Sequence, residues 1–305
     1  MSLSSASLIA SGFFANEAVH TAAVIGAVAA LVCGTVGVFT VIRAQSFAAE
    51  ALGDIASTGG SAAFLAGVGP LSGIVAVDVV AVAAMERIGV QRARGRDLAT
   101  GIVLGAAFGC SSLLLYLDTT EHSTTGAVVT ILFGSIFTIA HSTILPAALL
   151  SAAALALVAL LYRPLLLSSV SAEIAAARGV RVRLVGACYL LALATAVSLA
   201  AITIGTILST ALLVGPAASA LRFTRRPGQA IATAVAIGAG AVWLGVLLAY
   251  DSFYWPPHGT GWPVSFFVVA LIFAVYLISG LPALVRRQSS GRRSAQLGED
   301  RPGTA

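Results

Sequence analysis

Long apolar runs alternate with short polar connections along the whole chain. A membrane-spanning helix needs roughly 20 apolar residues, and runs of that order recur. They cover Ala18–Ile42, Ser46–Gly67, Pro70 to Met85, Leu98–Leu117, Ile144–Tyr162, Leu184–Ala201, Thr203–Leu221, Ala230–Tyr250 and Val264–Leu284. Gly69-Pro70 marks a tight turn between the second and third runs. Gly205 and Gly215-Pro216 interrupt the seventh, and Gly126–Ala140 is a shorter, glycine-containing segment.

Charge gives these runs a direction. All 17 basic residues are arginine, in five clusters: Arg43, Arg87 to Arg96, Arg163 to Arg183, Arg222 to Arg226, and Arg286 onward. Short arginine-bearing loops stay on the cytoplasmic side. The connections 118–125 and 251–263 carry no arginine and are expected outside; aromatic residues in the second suit the interface. Parity then constrains Gly126–Ala140. Two full crossings between Thr125 and Arg163 would leave Arg163 outside, so the short segment is expected to be a re-entrant or partial helix. Such irregular backbone survives at membrane depth only where protein or a cavity satisfies its polar groups. The expected fold is all-α and polytopic. It has about nine transmembrane helices plus one re-entrant or partial helix, an outside N-terminus and a cytoplasmic C-terminus. Residues 1–17 form an extracytoplasmic segment, 18–285 the transmembrane domain, and 286–305 a polar, disordered tail.

Composition supports this class. The 305 residues are 58% hydrophobic and 10% charged, with mean hydropathy +0.99, whereas soluble domains carry about 25% charged residues. The net charge of +5 sits in inter-helix loops, which fits topology control and anionic-lipid contact, not nucleic-acid binding. Cys33, Cys110 and Cys188 lie inside apolar runs, with neither metal-knuckle nor disulfide spacing. No basic stretch precedes the first run, so a cleaved signal peptide is not expected.

Ionisable residues inside spans are functional candidates by default. Glu50 and Asp54 are the sharpest, because i, i+4 spacing puts both carboxylates on one helix face. A divalent cation would relieve their repulsion, since carboxylate oxygens suit hard cations; a protonated or arginine-compensated pair is the competing explanation. Asp78 stands alone mid-span, either lining a pathway or held as a structural carboxyl. His20, His122, His141 and His258 are scattered, and no histidine-rich loop exists. A Walker P-loop needs a lysine, and this chain has none. ATP-driven transport would therefore require a separate ATP-binding subunit and a docking element here. The candidate is the short amphipathic helix at about 171–180, with Ser171 as its cap, Glu173 and Arg178 along it, and Gly179 at its end; a plain membrane-surface linker is the alternative.

Several stretches resemble the permease subunit of bacterial ABC importers for zinc, manganese and iron, over about residues 13 to 285. Gly37-Val-Phe-Thr-Val-Ile-Arg43 is similar to the family's first-span ending, Asp97-Leu-Ala-Thr-Gly-Ile102 to a span start, and Leu132-Phe-Gly-Ser135 to its "LFGn". The most specific match is Gly205-Thr-Ile-Leu208 through Ala211-Leu-Leu-Val-Gly-Pro216-Ala-Ala-Ser-Ala220, similar to "GtlLvsALLviPaatA". Ser171 to Gly179 lies where the family's ATPase-docking helix stands. Glu50 and Asp54 lie where the family carries an aspartate and a histidine four residues apart, associated with the metal pathway. Gly59-Gly60 replaces the usual Pro-Gly, and Ser171-Ala172 the usual Asp-Pro. An all-oxygen pair suits Mn²⁺ or Fe²⁺ better than Zn²⁺.

The resemblance implies a permease of the bacterial inner membrane that moves a divalent metal (Mn, Fe or Zn) and holds no permanent cofactor. It would hydrolyse no ATP itself. It would work with a second copy of itself, an ATP-binding subunit and an extracytoplasmic metal-binding protein. The alternatives are an ABC permease for a metal chelate or other small solute, and an ion-coupled secondary transporter using Glu50, Asp54 or Asp78.

Overall fold

The computed structural model describes residues 17–88, 93–121, 131–134, 136–224, 226–253 and 261–280. Residues 1–16 of the proposed N-terminal segment, all of the proposed tail, His122 and His258 lie outside these. Ten helices are described: α1 (Glu17–Ile42), α2 (Ser46–Leu65), α3 (Pro70–Ile88), α4 (Ala93–Glu121), α5 (Ile144–Val170), α6 (Ala172–Ala177), α7 (Val182–Ile204), α8 (Ser209–Phe223), α9 (Pro227–Ser252) and α10 (Val264–Gly280). There is no strand among the described residues. Four helical runs are long and apolar enough to cross a membrane by length and composition: α1, His141–Val170, α7 and α9.

α1 and α7 form the centre. α1 packs against α5, α7, α8 and α9, while α7 also meets α2, α3 and α8. Small residues permit this closeness, as expected where helices associate by packing and not by a hydrophobic drive. A Cβ on Gly34 would stand 2.7 Å from Val235 N of α9, and one on Gly37 would strike the Leu213 carbonyl of α8. α2 and α3 meet the same way, where a Cβ on Gly59 would lie 2.6 Å from Gly73 O. Hydroxyls inside the bundle mostly donate back to their own helices, such as Thr40 to Val36 O (3.1 Å) and Ser151 to Ala147 O (2.7 Å). That leaves few polar groups facing an apolar surround.

The structure departs from the sequence expectation at several boundaries. α4 begins at Ala93 and runs through Glu121, so Arg94, Arg96, Asp118 and Glu121 are on a helix and not in loops. α5 continues past Tyr162 to Val170 with Pro164 inside it; Pro164 removes one helical donor, but the adjacent Leu165 is fully buried and anchors the helix to the bundle. The Gly215-Pro216 interruption is absent, because α8 runs through it with Pro216 buried and Gly215 against Ile272. At 15 residues, α8 is about 22 Å long, short of the roughly 30 Å hydrocarbon core.

The shortness of α8 follows from a real break before it. Gly205 adopts φ 91° and ends α7, and α8 starts only at Ser209. The segment expected to be re-entrant is also broken: residues 131–133 are helical, Gly134 sits at φ 73°, and short 3₁₀ turns follow at Ile136–Thr138 and His141–Thr143. The two breaks complete each other. Thr206 N–H donates to Ile131 O (3.1 Å) and Ile207 N–H to Leu132 O (3.4 Å). Donors freed from one interrupted helix are thus accepted by the other.

Candidate functional site

α2 starts from a tight corner. The Gln45 N–H donates to Thr40 O (2.9 Å), and Ala44 between the helices takes φ 52°. Most of α2 is then buried against α3, α4, α7 and α8, and a Cβ on Gly53 would meet Ser209 Oγ at 2.5 Å. One strip escapes burial at its start: Glu50 is exposed and Asp54 half-buried. The i, i+4 prediction therefore holds in geometry, with both carboxylates on the open side of the helix.

A feature not singled out as polar from sequence continues this face. Ser57, Thr58 and Ser61 follow Asp54 at helical spacing but are buried. Ser57 Oγ donates to Asp54 O (2.6 Å) and lies 3.0 Å from Ser111 Oγ of α4. Thr58 Oγ1 donates to Ala107 O (2.9 Å), and Ser61 Oγ to Ser57 O (2.8 Å). The spacing of these residues was the available signal; their partners on α4 were not legible. Among the described residues no three His, Cys, Asp or Glu side chains gather to hold a metal. Glu50 and Asp54 are thus at most part of a coordination set within one chain.

Asp78 is not brought to this face. It is fully buried, accepting from Ser198 Oγ of α7 at 2.7 Å on Oδ2, while Oδ1 has no hydrogen-bond partner. One helical turn away, Ile74 and Ala201 help line a cavity of about 510 Å³ at the α2–α3 turn, together with Gly60, Phe64, Ile131 and Ser142. Asp78 is not among its lining residues. His20 and His141 meet Glu17 at the edge of a shallower pocket of about 250 Å³ at the start of α1 and α5.

The short helix α6 has the predicted ends. Ser171 Oγ accepts from Ile174 N–H at 3.2 Å, satisfying a donor that the helix itself leaves free. Glu173 lies in the first turn, where a negative side chain suits the helix dipole. Arg178 caps the C-terminus, with its N–H donating to Ile174 O (3.1 Å), and Gly179 turns the chain at φ 79°. Ala175 is buried while Glu173, Ile174 and Arg178 are exposed. Arg43, at the end of α1, donates from Nη1 to Ser168 Oγ (2.8 Å) in the last turn of α5 and lies 5.3 Å from the Tyr189 ring centroid on α7.

Comparison with known proteins extends this picture. The model of a family described as "ABC 3 transport family" matches residues 15–280. The manganese transport system membrane protein MntC of Listeria monocytogenes is 26% identical over 78% of this chain and 82% of its own length. The manganese import system permease protein ScaB of Streptococcus pneumoniae is 30% identical over the same shares. Among solved structures, PsaBC from Streptococcus pneumoniae in complex with Fab superposes with a TM-score of 0.74 at 25% identity. That match covers 88% of this chain and 93% of the matched one.

Proposed function

Because the chain belongs to the ABC 3 transport family, we propose that it is the membrane permease of an ATP-driven importer for a divalent metal ion, with manganese the preferred cargo. Two relatives carry manganese in their names. The observation that carries the site is the pair Glu50 and Asp54, one turn apart on the open face of α2. Two carboxylates supply hard oxygen ligands, which favour Mn²⁺ over Zn²⁺. A second copy of the chain would bring an equivalent pair and complete the coordination that one copy lacks. The reading takes nine spans and one re-entrant segment, N-terminus outside, in a bacterial inner membrane; four helical runs long and apolar enough to cross support the spans, and the paired breaks support the re-entrant segment. An ATP-binding subunit docks on α6, and an extracytoplasmic binding protein delivers the metal at the arginine-poor face. Asp78, buried beside Ser198, serves the fold and not the route.

The test is metal uptake by cells expressing the whole importer, with Glu50→Gln and Asp54→Asn singly and together. Manganese uptake should fall by at least the about 10–100-fold that even an outer-shell change costs a metal site. Undiminished, manganese-selective uptake in the double variant removes both residues from the mechanism. Uptake that prefers zinc in the wild type overturns the cargo assignment alone.

A further inference from the structure

We propose that Arg43 transmits movement of the docking helix α6 to the carboxylate-bearing helix α2, so that its loss separates ATP hydrolysis from metal movement. The inference rests on the functional reading above and adds a coupling residue to it.

Three observations converge on this side chain. The first is its place in the chain. Arg43 follows α1 directly and stands in the corner that starts α2, and that corner is stiff. Ala44 is held at φ 52°, in the left-handed region, between the Arg43 N–H bond to Phe39 O (2.9 Å) and the Gln45 N–H bond to Thr40 O (2.9 Å). Ala49 N–H then donates to Gln45 O (3.1 Å), so the corner continues into the first turn of α2, directly ahead of Glu50. A displacement of Arg43 therefore moves the start of α2 with it.

The second is its grip on the element before α6. Nη1 reaches Ser168 Oγ at 2.8 Å and Ser169 Oγ at 3.5 Å. These serines occupy the last turn of α5, directly ahead of Ser171, whose hydroxyl caps α6. The third is its grip on the element after α6. The guanidinium sits over the ring of Tyr189, which is 1% exposed on α7 and whose hydroxyl is 2.7 Å from Thr40 Oγ1. One planar cation thus holds both helices that flank α6. Its edge serves the serines while its face serves the tyrosine, which a lysine ammonium cannot do at once.

The experiment reconstitutes the full chain with its ATP-binding subunit in lipid vesicles, adds the extracytoplasmic binding protein loaded with manganese, and measures manganese uptake and ATP hydrolysis on the same preparation. The variants are Arg43→Gln, Arg43→Lys and the double variant Ser168→Ala/Ser169→Ala. For Arg43→Gln, hydrolysis should stay within about twofold of wild type. Uptake should fall about tenfold or more, the fold-change a charge-assisted hydrogen bond carries. Arg43→Lys should fall between, because it keeps the charge but not the flat face. A residue that merely supports the fold would lower both rates together and leave metal moved per ATP unchanged. That result, in Arg43→Gln or in the serine variant, overturns the coupling role. If Arg43→Gln does not assemble with the ATP-binding subunit, the serine variant decides, since it retains Arg43. A wild-type complex with no ATP-dependent uptake overturns the functional reading and this proposal with it.

Discussion

Replacing Gly205 by alanine probes the pairing of the two broken segments. Gly205 sits at φ 91° and ψ 160°, a region essentially reserved for glycine that costs an L-residue about 1–3 kcal/mol. An added Cβ would stand 2.5 Å from the Phe133 carbonyl carbon and 2.6 Å from Gly134 N, and would also strike Leu132 O. All three are backbone atoms, so no side chain can swing aside. The 131–134 segment must retreat, and Thr206 and Ile207 then lose their acceptors at Ile131 O and Leu132 O. Each such bond contributes about 0.5–1.5 kcal/mol. The combined loss is about 2–6 kcal/mol. At about 2–4 °C per kcal/mol for chains of a few hundred residues, this lowers the melting temperature by about 4–24 °C.

The assay is thermal unfolding of the purified chain with the accessible Cys110 and Cys188 replaced by serine, followed with a thiol-reactive dye that reports exposure of Cys33, which is fully buried in the fold. Gly240→Ala on α9 is the control, since a Cβ there meets nothing within 4 Å and alanine is the better helix former by about 1 kcal/mol. It should melt with wild type or slightly above. If Gly205→Ala melts with wild type, or Gly240→Ala falls as far, the paired breaks do not hold the fold in the way argued.

Four further outcomes follow from single residues. Ser171→Ala removes the hydroxyl that accepts from Ile174 N–H, at a cost of about 1 kcal/mol; α6 is only six residues long, so co-purification of the ATP-binding subunit should weaken while the melting temperature of the chain alone holds. Ser198→Ala strips Asp78 of its hydrogen bond inside the bundle and should cost about 1–3 kcal/mol, read as a lower melting temperature. Asp78→Asn keeps an acceptor for Ser198 and should cost less than Ser198→Ala in the same melt. Ala44→Gly relieves the φ 52° strain and should raise the melting temperature, by the equivalent of about 1 kcal/mol.

The helices were legible because hydrophobic run length and arginine placement are one-dimensional signals. The same parity argument flagged Gly126–Ala140 as incomplete, and the structure breaks the chain there at Gly134. Two kinds of feature were not legible. Helix ends depend on tertiary support: α5 passes Pro164 because Leu165 is buried, and α8 passes Gly215-Pro216 because Ile272 fits against Gly215. Partnerships also escape the sequence. Gly134 and Gly205 are distant in the chain and both look like helix breakers. Only the fold shows that a Cβ on either would enter the other's backbone. Likewise, Ser57 and Ser111 are ordinary small residues until α2 and α4 bring their hydroxyls within 3.0 Å.

The open strip of α2 is where one copy of the chain is least self-sufficient. Its buried continuation, Ser57, Thr58 and Ser61, has every hydroxyl satisfied by α4 or by α2 itself. Glu50 and Asp54 have no such neighbour among the described residues and point away from the bundle. Facing lipid, an ionised carboxylate costs about 2.5–3.5 kcal/mol at mid-span even on the mildest scale, less for Glu50 near the start of α2, and a like-charged pair at i, i+4 adds repulsion. The hydrophobic effect cannot cover such a strip; only water, a cation or a complementary protein surface can. On the proposed reading all three coincide, because a second copy facing the first across α2 encloses a wet path in which a passing cation meets carboxylates from both sides. On that reading, the same two residues that make the isolated chain unfavourable in lipid favour assembly around a metal.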